Sequence, residues 1–344
     1  MSLLAQFAGA LKRRPPPPAP SSLPSVRTDW PATTALPAEG CWLQCEEAIM
    51  GTAIQVDLWA DTATQAQDAV NAVMAEMHRI DHAMSPHRPD SELSRINRDA
   101  AHSAVLLSPE MERLIAQALA FSEVSDGAFD ISYAAAGQLY DYRAGVAPDP
   151  STLRTACALV NHRQLLLDRN AGTLRFGQPG MRIDLGGFAK GHAVDCACRI
   201  LQRLGIHHAM VAAGGDSRLL GDKRGRPWNV ALRDPRRPGE VVAVLPLQDV
   251  SVSTSGDYER YFERNGVRHH HVLNPRTGES PRGIRSVTIL ADDGLTTEAL
   301  SKTVFVLGLQ RGMALIESLP GVDAVVVDAE GALHFSSGLS GHGV

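Results

Sequence analysis

Apolar residues recur along the chain in two periods, and these periods predict its helices and strands. Between residues 65 and 84 an apolar side chain occurs every three or four positions, which predicts an amphipathic helix. A second helix is predicted to begin at Ser108-Pro109, because serine caps a helix N-terminus and proline fits the first turn. The two helices are expected to bury Val70, Val73, Met74, Met77, Ile80, Met111, Leu114, Ile115, Ala118 and Leu119.

Short apolar or alternating runs predict strands, most of them in the second half of the chain. The predicted strands are 52–59, 182–185, 208–213, 228–232, 241–247, 250–254, 269–273, 286–290, 324–328 and 332–335. Three of them, between residues 228 and 254, are expected to pair as one antiparallel set. Further helices are predicted at about 190–204, 297–307 and 311–319. Strands interleaved with helices at hairpin-like spacing predict a mixed α+β fold with largely antiparallel sheets and flanking helices.

The N-terminal segment has a different composition from the rest of the chain. Four consecutive prolines, Pro15 to Pro18, are followed by further prolines among Ser, Ala and Thr. Such a stretch favours extended polyproline conformations and buries no core. We therefore predict a disordered tail over residues 1–40 and a single folded domain over residues 41–344.

Composition narrows the classes of function and the compartment. The net charge of -5 argues against a general nucleic-acid binder, which needs a basic surface. The five cysteines have scattered spacings and are expected to be free thiols, which favours a reducing compartment. The apolar run at 2–11 precedes its basic residues, the reverse of a secretory signal, and no membrane insertion is expected. We expect a cytoplasmic protein, or a periplasmic one if the start of the chain is wrongly assigned.

The segment from Asp184 to Lys190 has the features of an anion-binding turn. It places a carboxylate after a predicted strand, then Gly186 and Gly187, then the start of a helix with a lysine. Backbone amides at a helix N-terminus bind anions, and glycines allow a ligand to come close. The spacing is neither that of a P-loop nor that of a dinucleotide-binding fingerprint. A tight strand-to-helix turn with an exposed lysine is the alternative interpretation.

Two later segments carry further candidate chemistry. Gly214 and Gly215 precede Asp216 at the end of a predicted strand, where they indicate unusual backbone angles or close packing. Residues 269–271 are three consecutive histidines. Side chains alternate along a strand, so at most two share a face, which argues against a three-histidine metal site. One histidine at a strand end is suited to act as a general base.

These segments, in their shared order, resemble the ApbE family, the FAD:protein FMN transferases. The resemblance extends from Met50 to about Gly308. It rests on the sequences Met-Gly-Thr at 50–52, RPDSELSRIN at 88–97, GAFD at 127–130, DLGGFAKG at 184–191, AVD at 193–195, GGD at 214–216, SGDY at 255–258, HVLNPRTG at 271–278 and FVLG at 305–308.

The resemblance implies an activity and a site. FAD is cleaved at its pyrophosphate, FMN is attached to a Thr or Ser hydroxyl of a target flavoprotein, and AMP leaves with the assistance of magnesium. Some relatives hydrolyse FAD to FMN and AMP, and a non-catalytic flavin-binding protein is the third possibility. By resemblance, FAD contacts come from Met50, His87, Ala128, Phe129, Asp130, Asp184, Lys190 and Val272. His87 stands where relatives often carry Tyr, and His271 is the expected proton acceptor.

The chain departs from the family at the expected magnesium site. The family uses an Asp, a Thr and a backbone oxygen of the Asp184 turn, whereas this chain carries Glu298 and Lys302 at the side-chain positions. The candidate metal set is therefore Gly187, Glu298 and Ser301, with Lys302 a poor ligand because an ammonium only donates. Three outcomes stay open: magnesium binds through the first three, the ammonium replaces part of its charge, or the site only binds flavin.

Overall fold

An eight-stranded sheet forms the centre of the protein. The structure is a computed structural model, and it describes residues 40–340. The predicted tail, apart from Gly40, and residues 341–344 lie outside this range. The strands, in chain order, are β1 (Cys41–Ile49), β2 (Thr52–Ala60), β3 (Val105–Leu106), β4 (Leu165–Asp168), β5 (Thr173–Phe176), β6 (Ala209–Ala213), β7 (Asp216–Leu220), β8 (Trp228–Arg233), β9 (Val241–Leu247), β10 (Ser251–Gly256), β11 (Tyr261–Arg264), β12 (Val267–His270), β13 (Ile284–Ala291), β14 (Asp323–Asp328) and β15 (Leu333–Phe335).

The large sheet has the order β1-β2-β6-β7-β10-β13-β14-β15, and every neighbouring pair in it is antiparallel. Smaller sheets are β3-β5-β4, β8-β9 and β11-β12. The helices are α1 (Ala63–Met84), α2 (Glu92–Asp99), α3 (Pro109–Val124), α4 (Ala134–Gly137), α5 (Pro150–Cys157), α6 (Ala189–Arg203), α7 (Gly294–Leu307), α8 (Leu309–Glu317) and α9 (Ser337–Ser340). This arrangement confirms the predicted α+β class with largely antiparallel sheets.

The two N-terminal helices follow their sequence pattern closely. Thr62 caps α1 and Ser108 caps α3, each accepting a hydrogen bond from a backbone amide three residues on. The residues expected to be buried in these helices are buried, except that Leu119 is half-buried. The amphipathic pattern was sufficient here because each helix packs a single apolar stripe against the core.

The prediction of a strand at residues 182–185 was wrong. The segment has no regular secondary structure and pairs with no strand of the described chain. Its backbone is held by a side chain instead: Asn97 bonds both the amide and the carbonyl of Ile183, and the Asp184 amide donates to the Ile131 carbonyl at 2.9 Å. A local apolar run cannot distinguish these partners from a neighbouring strand.

The expected antiparallel set between residues 228 and 254 was also wrong in part. Strands β8 and β9 pair with each other, but β10 lies in the large sheet between β7 and β13. Five of the six residues of β10 are buried. Because β10 lies in the interior of the sheet, it has a partner strand on each side. A prediction that pairs strands adjacent in sequence does not anticipate these partners.

Helices α1, α6 and α7 pack on the sheet and on one another, and they enclose the main core. No helix within residues 40–340 is both long and apolar enough to cross a bilayer. The five cysteines, Cys41, Cys45, Cys157, Cys196 and Cys198, are all free.

Helices α6 and α7 cross in direct backbone contact at two glycines. A Cβ placed on Gly191 would lie 2.1 Å from the carbonyl oxygen of Gly294, and one on Gly294 would lie 2.6 Å from that of Gly191. Asp195 of α6 accepts hydrogen bonds from the Gly294 and Leu295 amides, the first amides of α7. The crossing therefore requires glycine on both helices.

Replacing Gly191 with alanine is expected to lower the free energy of unfolding by at least about 2 kcal/mol, because two backbones must separate to admit the methyl group. Urea denaturation followed by circular dichroism measures the change. Gly187→Ala is the control, since its Cβ would meet only the Lys302 side chain at 3.7 Å. Equal stability of Gly191→Ala and the wild type would contradict the proposed role of the crossing.

Candidate active site

A network of buried carboxylates and lysines lies where α6, α7 and the large sheet meet. The ammonium of Lys190, on the first turn of α6, contacts Asp216 of β7 at 2.7 Å and Glu298 of α7 at shorter range. The other oxygen of Glu298 accepts the Gly191 amide at 2.7 Å. Both carboxylates are inaccessible to solvent, with Glu298 0% and Asp216 2% exposed. Burial costs are offset here by direct ion pairing and hydrogen bonds.

Lys302, one turn after Glu298, adds a second ammonium to this network. Its Nζ lies 3.3 Å from the Glu298 oxygen that Lys190 also contacts. Its side chain packs beside Gly187, so that a Cβ there would lie 3.7 Å from Lys302 Cε. The Lys190 and Lys302 side chains retain 23% and 18% exposure. The network therefore buries its negative groups and presents its positive groups towards solvent.

The ion pair between Asp216 and Lys190 holds both of these groups in the ionised state. Burial alone would favour neutral forms, but Lys190 and Lys302 hold the pKa of Asp216 below its ordinary value. Burial likewise opposes the charge of Lys190, and Asp216 and Glu298 outweigh it and raise the pKa of that lysine. The lysine is therefore protonated at neutral pH.

Serine hydroxyls connect the network to β10. Ser253 donates to Asp216 at 2.5 Å, and Ser301 of α7 lies 3.2 Å from Ser253 and 2.9 Å from Ser255. Ser301 also donates to the Glu298 carbonyl at 2.9 Å. The hydroxyl of Ser301 is fully buried, with its proton directed to the Glu298 carbonyl and the two serines of β10 within hydrogen-bond distance of its oxygen.

The Asp184 turn lies beside this network. The Asp184 carboxylate accepts the Gly186 amide, and burial raises the pKa of Asp184 despite this bond and the nearby charge of His87. The charge of Asp184, followed by burial, raises the pKa of the Tyr133 hydroxyl well above its ordinary value. The structure thus brings His87, an exposed residue, and Tyr133 to the same turn.

His271 follows the last residue of β12 and points into a buried, positively charged environment. Its amide donates to the Arg260 carbonyl at 3.0 Å. Burial, followed by the charges of Lys302, His270 and Arg260, lowers the pKa of His271 to about 3. Its Nδ1 is buried and meets no hydrogen-bond partner within residues 40–340. The other two histidines of the run diverge: His269 stacks on Phe262, and His270 packs against Phe305.

The Met50 turn is tied to this region through Arg260. Met50 and Gly51 connect β1 to β2 with positive φ values of 56° and 69°. The Gly51 carbonyl accepts a bond from Arg260 at 3.3 Å. Met50 is half-buried, and Val272 is buried in the main core.

The side chains of residues 128–130 are committed to the protein interior. Phe129 packs against Phe121 and Phe188, and Ala128 is buried. Asp130 accepts bonds from Ser132 and from the amide and ring of His162. Only the backbone of this segment is left for a ligand contact.

The match to a known protein family includes the residues of this site. A family model described as the ApbE family matches residues 50–326. The chain belongs to the ApbE family. A curated relative named FAD:protein FMN transferase, from Treponema pallidum, is 33% identical over 312 residues, which cover 85% of this chain and 86% of that protein. A protein with the same name from Haemophilus influenzae is 31% identical and covers 78% of this chain and 81% of its own length.

Solved ApbE structures share the fold over most of the chain. A crystal structure of the ApbE protein from Thermotoga maritima has a TM-score of 0.81 with 32% identity, covering 87% of this chain and 98% of that one. The flavin transferase ApbE from Vibrio cholerae has a TM-score of 0.79 with 27% identity, covering 89% and 99%.

The residues at the expected ApbE magnesium site do not fit magnesium in this chain. Both oxygens of Glu298 are engaged, one by two ammoniums and one by the Gly191 amide. Ser301 is bonded to serines of β10, and the Lys302 side chain lies beside Gly187. Magnesium requires near-octahedral oxygen ligands at about 2.1 Å, and an ammonium beside its carboxylate ligand repels it.

Several residues of the site were not assigned from the sequence. Asp216 and Ser255 stand in motifs that were recognised, but the partners of their ion pair and hydrogen bond, Lys190 and Ser301, are distant in sequence and lie on helices α6 and α7. Tyr133 and Arg260 stand in no pattern that indicated a site. Their positions are set by the long-range contacts of the fold.

Replacement of Lys190 with Met is expected to lower the free energy of unfolding by about 3 kcal/mol, because it leaves Asp216 buried with Ser253 and without its closest cation. Chemical denaturation measures the loss. Arg98→Met removes an exposed pair with Asp99 and is expected to cost about 1 kcal/mol or less. Similar losses in both variants would refute the special role of the Lys190 pair.

Proposed function

We propose that this protein is an FAD:protein FMN transferase, which moves FMN from FAD to a Thr or Ser hydroxyl of a target flavoprotein and releases AMP. The observation that carries the proposal is the layer of two ammoniums over buried carboxylates, with the Asp184 turn and His271 beside it. Positive charge and donors at such a position suit a diphosphate anion. Phosphoryl transfer depends mainly on positioning and charge neutralisation.

The reaction balances with the groups at the site. The acceptor hydroxyl oxygen attacks the phosphorus on the FMN side of the diphosphate, and the bond from that phosphorus to the bridging oxygen breaks. AMP leaves with the bridging oxygen, and His271 takes the hydroxyl proton. Lys190 and Lys302 face the charge that develops on the phosphoryl oxygens. The scheme uses only side chains of this chain.

His271 is suited to accept a proton once the substrate is bound. In the free protein the neighbouring cations and burial keep its ring neutral. The negative charges of a bound diphosphate offset those cations and raise the basicity of the imidazole. The base therefore becomes stronger when the acceptor proton is to be removed.

FAD contacts are assigned to Met50, His87, Asp184, Lys190 and Val272, and to the backbone of Ala128, Phe129 and Asp130. Gly51, next to Met50, accepts a hydrogen bond from Arg260, and the charge of His87 acts on Asp184. The five free thiols favour a reducing compartment such as the cytoplasm, with the periplasm as the alternative.

Mixing the purified protein with FAD and a target that carries a Ser/Thr flavinylation motif is expected to give FMN covalently on the target and free AMP. In-gel flavin fluorescence and chromatography of the nucleotides measure both products. A His271→Asn variant is expected to retain FAD binding and to lose transfer by about 10²- to 10⁴-fold.

The same assay separates the alternatives. Free FMN and AMP without labelled target would identify an FAD pyrophosphatase. FAD binding with neither product would identify a flavin-binding protein. Absence of FAD binding would reject the proposed function altogether.

The kcat/KM for transfer is expected to show no acid limb from His271 near its ordinary pKa of 6.5, because the lowered pKa leaves the ring unprotonated well below that pH. Initial rates at low FAD concentration between about pH 5 and pH 8 test this. Circular dichroism in the same buffers controls for acid unfolding. A fall in kcat/KM centred near pH 6.5 with the fold intact would contradict the assignment.

A further inference from the structure

We propose that the Lys302 ammonium is the built-in cation of the diphosphate site, so that this protein binds and cleaves FAD without a divalent metal ion. The inference rests on the proposed function and assigns to one side chain the charge that magnesium supplies elsewhere in the family. Lys302 is thereby proposed to be a substrate-binding residue.

Lys302 lies next to the Asp184 turn. It lies one helical turn after Glu298 on α7 and packs beside Gly187, in the turn that also holds Asp184. Its Nζ is 3.3 Å from a Glu298 oxygen, and its side chain is 18% exposed. The ammonium is therefore held by a fully buried carboxylate, and its side chain keeps partial exposure to solvent beside Gly187.

Lys302 leaves N–H donors without a partner among residues 40–340. An ammonium has three N–H donors, and one of them is directed to Glu298. The remaining donors suit phosphate oxygens. Lys190, by contrast, contacts both Asp216 and Glu298. Lys302 is thus the less committed of the two ammoniums.

The two lysines balance the negative charge of the two buried carboxylates. Glu298 and Asp216 carry two negative charges, and Lys190 and Lys302 carry two positive charges. Removal of the Lys302 charge would leave the buried side of the network with a net negative charge facing an anionic substrate. A divalent cation added to the intact network would instead meet two ammoniums at short range.

The experiment compares binding of FAD and of riboflavin, which lacks phosphate, by titration calorimetry with EDTA and with magnesium chloride. Wild-type protein is expected to bind FAD equally under both conditions. Lys302→Met is expected to weaken FAD binding by about 10- to 100-fold, as for loss of a charge-assisted hydrogen bond, and to leave riboflavin binding unchanged. Lys302→Arg, which retains the charge, is expected to lose less affinity than Lys302→Met.

Lys302→Thr tests the equivalence of ammonium and metal directly. It removes the cation and introduces an oxygen, so its FAD affinity is expected to be low in EDTA and to rise at least about tenfold with magnesium. No response of this variant to magnesium would overturn the equivalence. Thermal melts of each variant verify that the fold is retained.

Lys223 offers a matched control. Its ammonium lies 3.4 Å from Asp57, compared with 3.3 Å in the Lys302 pair, and the two side chains are 27% and 11% exposed, compared with 18% and 0%. Lys223→Met makes the same change in net charge at a different place, over the rings of Trp42 and Trp228. FAD affinity is expected to be unchanged in this variant, and a loss equal to that of Lys302→Met would reduce the effect to net charge and overturn the inference.

The inference and the proposed function fail in different ways. If wild-type protein binds FAD or transfers FMN only with magnesium, the function stands and the role of Lys302 is rejected. Unchanged FAD affinity in Lys302→Met also rejects that role, leaving the lysine as an ion-pair partner of Glu298. If FAD does not bind under any condition, the proposed function itself is rejected.

Discussion

The contact between Gly191 of α6 and Gly294 of α7 positions the candidate site. The two backbones touch at a distance that no side chain can occupy, and Asp195 fastens the start of α7 to α6. This contact sets Glu298, one turn into α7, directly against the Gly191 amide and the Lys190 ammonium. A wider helix crossing would separate the carboxylate from both donors and leave it buried without compensation.

The close crossing of α6 and α7 leads to buried charge, and this buried charge accounts for the electrostatics of the site. Asp216 and Glu298 are removed from water, which is tolerable only because lysines, an amide and a serine bond to them. The same arrangement turns the positive groups outward. The proposed anion binding is therefore a consequence of how the core compensates its own carboxylates. Burial, followed by the charge of Lys302, lowers the pKa of His271.

The helices and the fold class could be predicted from the sequence because they depend on local patterns. Thr62 and Ser108 cap their helices, and the apolar positions of α1 and α3 are buried as periodicity requires. The segment at 182–185 and the pairing of β10 could not be predicted in this way. Each depends on a distant partner: Asn97 and Ile131 in the first case, and β7 and β13 in the second.

The sequence by itself determined the family motifs, the α+β class and the substitution of Glu298 and Lys302 at the expected metal site. It left open what that substitution does, because a glutamate and a lysine four residues apart on a helix also form an ordinary surface pair. Only the tertiary structure decided that Glu298 is fully buried between Lys190, Lys302 and the Gly191 amide. The physical reason is that burial depends on the crossing of α6 over α7, and no local pattern along either helix encodes that contact.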